Sequence, residues 1–288
     1  MTDEPQLDPR RHAYREDLAA KSLEGRVQAP RFVEGQRYQV CAMRTPVRRR
    51  PQPQAALDTE ALMGEQLTVY DEVEGWAWGQ LDRDGYVGYL PAADLGCDVL
   101  EATHWVRAVL ALVYSAPSAL AAPVQHLSFN SLVTVIGESG DFAKLASGGF
   151  IGKRHISALN LVDPDYVGMA QHFIGLPYLY GGKSALGLDC SALVQNVLQA
   201  ANYSAPRDSD MQAAEIGSKI DVGPDLQGLI RGDLVFWPGH VGIMTSPTMI
   251  VHASATMMEV TLEPVHDVAK RSRKGGPIVA SVTRLPIS

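Results

Sequence analysis

The chain has 288 residues, 46% of them hydrophobic, and a formal net charge of -7. That length predicts two or three packed domains, and the acidic balance argues against nucleic acid as the main partner. No uninterrupted apolar stretch approaches the roughly 20 residues that a membrane span needs, so no membrane partner is expected. Three cysteines, Cys41, Cys97 and Cys190, form neither a C-x-x-C pair nor a disulfide framework, and their odd number suits a reducing compartment. The opening Met1-Thr2-Asp3-Glu4-Pro5 lacks the charged and apolar regions of a secretory signal, which makes a cytoplasmic location the expectation. Two basic runs, at 48–50 and 270–274, read as solvated loops rather than phosphate sites.

Residues 1–30 form a polar extension rich in Arg, Asp and Glu. It is expected to pack on a surface rather than fold alone, with a short helix over 17–23. An internal repeat follows. Leu67-Thr68-Val69 answers to Val133-Thr134-Val135, Gly75-Trp76-Ala77 to Asp141-Phe142-Ala143, and Gly85-Tyr86-Val87-Gly88 to Gly149-Phe150-Ile151-Gly152. Both copies show short alternating strands separated by Gly and acidic turns, the pattern of a small β-barrel. Each copy is expected to end in a small turn and Leu, at Ala92–Leu95 and Ile156–Leu159. The two barrels are assigned to 31–97 and 98–160.

Residues 161–288 read as an α+β domain. Asp163 is placed as the cap and Pro164 at the first position of a helix whose apolar face is Val167, Ala170, Phe173 and Ile174, with Gly175 ending it. A second helix begins near Cys190, with Leu193, Val194, Val197, Leu198 and Ala201 at helical spacing. Three strands follow at 234–237, 241–244 and 249–252, the first two joined by a tight Pro238-Gly239 hairpin. Helices followed by an antiparallel sheet define the α+β class.

The chemistry centres on Cys190. At a helix N-terminus the unpaired amides and the macrodipole favour a thiolate, and the same amides can hold an oxyanion. The competing reading is a buried structural cysteine, which the polar neighbours Asp189 and Ser191 count against. His240 opens one strand and His252 lies in the next, so adjacent antiparallel strands can bring both rings close. His240 can then take the thiol proton while His252 orients it. Zinc held by Cys190, His240 and His252 is the rival arrangement. No paired-ligand spacing accompanies it, and neither a metal nor an organic cofactor is expected.

Six segments carry a resemblance: 175–182 (GLPYLYGG), 187–191 (GLDCS), 206–209 (PRDS), 231–237 (RGDLVFW), 239–243 (GHVGI) and His252-Ala253. In order and spacing they resemble the NlpC-type bacterial cell-wall cysteine peptidases over the whole of 161–288, and the barrels ahead resemble bacterial SH3-like domains. Tyr180 stands where many relatives have Trp, and Ala192 where Gly is frequent. The resemblance implies a reduced papain-like fold with Cys190 as nucleophile, His240 as base and His252 as the third polar residue. It implies hydrolysis of the γ-D-glutamyl bond to a diamino acid in peptidoglycan stem peptides.

The two-barrel layout is similar to that of γ-D-glutamyl-L-diamino-acid dipeptidyl-peptidases. These release L-Ala-D-Glu from stem peptides whose L-Ala amine is free. On that model Tyr178, Tyr180, Asp189, Ser191, Asp208 and Ser209 line the substrate pocket, and Tyr178 also helps to hold the oxyanion. Asp189 and Asp208 are candidates for pairing with the L-Ala ammonium, although Asp189 can equally cap the helix of Cys190. Tyr86 of the first barrel is either a substrate contact or, like its repeat partner Phe150, a core residue. Glu65 is a weaker candidate contact. The second barrel, with Lys153 and Arg154 in place of the aromatic end of the first, reads as structural. The expected protein is thus a cytoplasmic murein-recycling enzyme. An acyltransferase or amidase using the same Cys–His pair, and a catalytically dead peptidoglycan-binding module, are the alternatives.

Overall fold

A computed structural model of the chain describes residues 7–223, 225–272 and 279–286. Met1–Pro5, and Arg273 and Lys274 of the second basic run, lie outside the described residues. The chain divides into two compact units, with the break between Ala158 and Leu159.

Among its described residues, the first unit is all β apart from single 3-10 turns. Its amino-terminal arm contains no α-helix over 17–23. Leu18–Ala20 is instead a buried strand, antiparallel to Tyr14–Arg15 and parallel to Phe32–Val33, and Lys21–Leu23 is one 3-10 turn. The reason is tertiary. Ala13, Leu18, Ala20 and Leu23 bury themselves together with Trp78 of the first barrel, and the extended backbone at Ala19 donates to the Arg31 carbonyl at 2.9 Å. The arm therefore packs on the barrel, as its composition suggests.

The repeat is visible in the strand order. In the first copy the order is 95–96, 36–40, 66–73, 76–81, 87–91, 44–48 and 57–62. The second copy places 156–158, 104–106 and 132–133 in one sheet, and 135–139, 142–145, 150–152, 110–114 and 123–128 in another. The long third strand of the first copy is thus broken in two in the second, at Thr134. The closing turn differs from the sequence expectation. Ala92–Asp94 corresponds to Lys153–His155, and Leu95, opposite Val40, corresponds to Ile156, opposite Val106. Leu159 is left exposed beyond the last strand. The two barrels share packing: Met63 of the first copy is buried in the core of the second with Val106, Leu127, Val133 and Ile156. Its carbonyl accepts from the Leu132 amide at 2.8 Å.

Among the described residues, the second unit has four helices and a six-stranded sheet. Helix α1 (Tyr166–Gln171) is capped by Asp165, not Asp163. The Asp165 carboxylate accepts from the Gly168 amide at 2.9 Å, and a Cβ at Gly168 would meet that carboxylate at 2.4 Å. The helix ends before Ile174, which is exposed, while Val167, Ala170 and Phe173 are buried as expected. A two-stranded ribbon, Lys183–Ser184 with Gly187–Leu188, leads into α2 (Cys190–Ala200). Helix α3 (Ser209–Glu215) follows. The strands are β1 (Ser218–Lys219), β2 (Leu234–Trp237), β3 (His240–Met244), β4 (Met249–Ser254), β5 (Glu259–Pro264) and β6 (Ser281–Arg284), with α4 (Val265–Ser272) between the last two. Their order in the sheet is β1-β6-β2-β3-β4-β5.

Every pairing in this sheet is antiparallel. Trp237 opposes His240 across the two-residue Pro238-Gly239 turn, where Gly239 takes φ +74, a left-handed conformation that suits glycine. Ile243 opposes Val251 on the next ladder, so Gly242 stands across from His252. Because paired residues share a face, Trp237, His240, Gly242 and His252 all lie on one side of the sheet. Val235, Trp237, Met244 and Ile250 on that side pack with Val265, Val268 and Ala269 of α4.

Candidate active site

The helix start is shaped by Asp189. Its backbone is extended and its carboxylate accepts from the Ala192 amide at 2.8 Å. The same carboxylate accepts from the Gly181 amide at 2.9 Å and from both terminal nitrogens of Arg207 at 2.9 and 2.7 Å. Arg207 is only 1% exposed and also donates to the Ser191 hydroxyl at 2.8 Å. Asp189 is therefore a capping group whose charge is matched internally. Of the two roles its position allowed, the structure gives it the helix cap. Ser191 is buried and hydrogen-bonded into the same cluster.

Cys190 is the first residue of α2 and is buried. Its thiol faces the Gly239 carbonyl at 4.0 Å, which sets it beside the turn that delivers His240. Burial first, and then the Asp189 charge, push the thiol up to about 12, against the opposing pull of the Val241 and Ser191 amides and Arg207. His240 is pushed the other way, to about 3, by burial and by the neighbouring His252 and Arg271. Both shifts favour the neutral thiol and the neutral imidazole.

The two imidazoles are joined directly. Nε2 of His240 lies 2.8 Å from Nδ1 of His252, with the rings 4.9 Å apart and tilted by 73°. Gly242 makes this approach possible, since a Cβ there would meet the Cβ of His252 at 3.0 Å and Ile250 at 2.7 Å. Trp237 lies against the His240 ring with centroids 5.7 Å apart. Two nitrogens facing each other at this distance share a proton rather than converge on a metal. Among the described residues no group of three His, Cys, Asp or Glu side chains is placed to hold a metal ion.

Behind His252 stands a carboxylate. Nε2 of His252 lies 3.0 Å from Glu263 of β5, and Glu263 is gripped by both terminal nitrogens of Arg271 from α4 at 2.9 and 2.6 Å. Burial raises the Glu263 carboxyl, but the Arg271 and His252 hydrogen bonds more than offset this and hold it below the ordinary carboxylate range. Burial lowers His252 despite the Glu263 hydrogen bond.

Tyr178 is half-buried. Its hydroxyl is pushed up to about 12 by burial and by the charges of Cys190 and Asp189, which keeps it an O–H donor. Tyr180 is 71% exposed. Asp208 occupies the cap position of α3 without a side-chain cap bond, and Asp208 and Ser209 are both half-buried.

The candidates from the first unit are placed differently. Tyr86 is 4% exposed within the first barrel core, among Val47, Leu67, Leu81 and Leu90. It also forms part of the wall of a cavity of about 680 Å³ with Arg15, Trp78 and Tyr89. Its burial fits the core role that its pairing with Phe150 allowed. Glu65 is likewise internal, accepting from the Leu62 amide at 3.2 Å.

Sequence reasoning assigned no role to Arg207, Gly242 or Glu263, and it read Arg271 as part of a solvated basic loop, whereas Arg271 lies in helix α4 and is ion-paired to Glu263. No local signal marked Glu263, which takes an ordinary polar place in the alternating strand that pairs with His252.

A thiol at a helix start, set beside an imidazole chain on an antiparallel sheet, defines the papain-like class of cysteine hydrolases. Residues 175–274 match the NlpC/P60 family, and residues 47–95 match the bacterial dipeptidyl-peptidase SH3 domain. The chain is an NlpC/P60 cysteine peptidase with a dipeptidyl-peptidase SH3 domain ahead of it. It is 26% identical over 228 residues to the γ-D-glutamyl-L-lysine dipeptidyl-peptidase of Bacillus subtilis, covering 69% of this chain and 73% of that protein. It is 25% identical over 243 residues to the enzyme of the same name from Bacillus cereus, covering 73% and 71%. The crystal structure of an NlpC/P60 family protein from Bacillus cereus superposes with a TM-score of 0.73 over 87% of this chain and all of that one, at 20% identity, a likeness of fold. The chain is thus a dipeptidyl-peptidase-like member of its family.

Proposed function

We propose that the protein hydrolyses the γ-D-glutamyl bond to the diamino acid in free peptidoglycan stem peptides, releasing L-Ala-D-Glu. The observation that carries this reading is the buried Cys190 thiol at the start of α2, beside a hairpin whose His240 is tied to His252 at 2.8 Å. His240 accepts the thiol proton as the sulfur attacks the γ-carbonyl carbon. The resulting oxyanion is held by the first-turn amide of Cys190 and the Tyr178 hydroxyl. The imidazolium then gives its proton to the departing amine, leaving a γ-glutamyl thioester that water hydrolyses with His240 as base.

Asp208 is the acidic candidate proposed to pair with the L-Ala ammonium, while the Asp189 charge is matched by Arg207. Tyr180 and Ser209 complete the proposed pocket. The likeness to the two Bacillus dipeptidyl-peptidases across both domain types supports the exopeptidase reading. The unpaired, exposed Cys41 and Cys97 support a reducing, cytoplasmic setting and hence a recycling role.

The test is a paired digest followed by mass spectrometry. Free L-Ala-γ-D-Glu-diamino-acid tripeptide is given alongside the same peptide acetylated at its N-terminus. Release of L-Ala-D-Glu from the free peptide alone is the expected result. Cleavage of both would replace it with an endopeptidase, and cleavage of neither would favour an acyltransferase or a binding module.

A further inference from the structure

The proton positions in the imidazole chain follow from its far end. Arg271 holds Glu263 as a carboxylate, and a carboxylate only accepts. Nε2 of His252, at 3.0 Å, must therefore carry a hydrogen and donate it to Glu263. His252 is neutral, its charged form disfavoured by burial, so its Nδ1 has no hydrogen and accepts. The 2.8 Å contact is then a donation from Nε2–H of His240 to Nδ1 of His252. A neutral His240 with its hydrogen on Nε2 has one basic nitrogen, Nδ1. Each assignment forces the next, from helix α4 across β5 and β4 to β3.

We propose that Glu263, gripped by Arg271, is a positioning residue that locks both histidines in the Nε2–H tautomer and so leaves Nδ1 of His240 as the base for Cys190. The inference deepens the thiol-hydrolase reading above and rests on it for the role of His240. Without the carboxylate, His252 is free to carry its hydrogen on Nδ1. In that form it donates toward His240, Nε2 of His240 must accept, and the hydrogen of His240 moves to Nδ1, where it blocks the base. The geometry supports a lock over a loose contact. Glu263 is 9% exposed, and His252 is 1% exposed. Glu263 is fixed from behind by two charge-assisted bonds, and such bidentate pairs fix orientation as well as distance.

Two measurements made without substrate test the lock, so they stand apart from the identity of the peptide cleaved. The first is long-range ¹H–¹⁵N NMR of the wild-type imidazoles at neutral pH. Both His240 and His252 are expected to show Nε2–H with Nδ1 unprotonated. The second is the rate of iodoacetamide alkylation at Cys190, read on the Cys190 peptide because Cys41 and Cys97 are exposed free thiols that also react. Glu263→Ala should give a tautomer mixture at His252 and slow Cys190 alkylation about 10- to 100-fold. Glu263→Gln keeps an amide oxygen that can accept from Nε2–H. It should retain the tautomers and stay within about threefold of wild type, since only the charge is lost. A wild-type His240 carrying its hydrogen on Nδ1 would overturn the proposal, and that result needs no variant to fold. So would Glu263→Ala with wild-type tautomers and rate. Glu263→Gln falling as far as Glu263→Ala with tautomers unchanged would also overturn it, in favour of a simple charge effect.

Discussion

The two halves of the site are each backed by a carboxylate that an arginine grips with two nitrogens, yet the pairs do different work. Asp189–Arg207 stands behind the thiol, with its arginine buried, Arg207 being 1% exposed. Its targets are backbone amides and the Ser191 hydroxyl, so it sets the shape of the helix start. Glu263–Arg271 stands behind the imidazoles, with the Arg271 side chain 33% exposed. Its target is a titratable ring, so it sets where a proton sits. The same chemistry thus serves as a structural rivet at one end and as a proton stop at the other. Burial decides the cost of losing each.

The sharpest break in this picture is removal of the sulfur. Cys190→Ala should fold with wild-type Tm and lose peptide turnover by at least about 10⁴-fold; retained turnover would discard the thiol mechanism. Next in size is Arg207→Met, which strands the Asp189 carboxylate without its buried partner. A loss of about 3–5 kcal/mol is expected, seen as a marked fall in the urea midpoint. Arg271→Ala, at the more exposed pair, should cost about 1 kcal/mol or less. Equal losses in the two variants would erase the distinction between them.

Gly242→Ala probes the sheet side by packing. The added Cβ would lie 2.7 Å from Ile250 and 3.0 Å from the Cβ of His252. A cost of about 1–3 kcal/mol is expected, together with a lower kcat at little change in KM, because the His240–His252 contact is pushed apart. A pure stability loss with normal kcat would show that the ring contact tolerates displacement.

The smallest effect is on pH dependence. Burial depresses both imidazoles, His240 to about 3. Between that value and the ordinary 6.5, the unfolded chain takes up protons that the folded chain refuses. The stability contributed by the neutral rings is therefore complete above about pH 6.5 and declines as the pH falls. His240→Asn should flatten the slope of Tm between pH 6.5 and 4.5. Below that range Glu263, whose folded carboxyl is also depressed, adds its own loss. An unchanged slope in the variant would mean that the buried rings are not what the acid limb reports.

Much of this site could be read from residue order. Cys190 sits between a capping acid and a run of helical apolar spacing, and His240 follows a Pro-Gly turn whose two-residue length fixes the register of β2 and β3. The repeat was likewise legible, since aromatic and glycine signals recur where strands begin. What escaped depends on distance across the sheet. Glu263 reaches His252 only because the β4–β5 register sets His252 opposite Thr261, two residues before Glu263, and no local pattern encodes that register. The helix expected over 17–23 failed for a related reason. Its apolar residues are buried against Trp78, more than 50 positions along the chain, and that packing overrode local propensity. The misplaced end of the second repeat arose because the copies lose residues unevenly, so Leu159 looked equivalent to Leu95 when Ile156 holds that place.

Met63, on the first barrel yet lodged in the core of the second, gives the pair a shared fate. The second copy does not own a complete interior: cutting the chain between them would open a hole in it and bare a thioether on the first. On heating, the two modules should come apart in a single cooperative step, so that two barrels behave as one thermodynamic object.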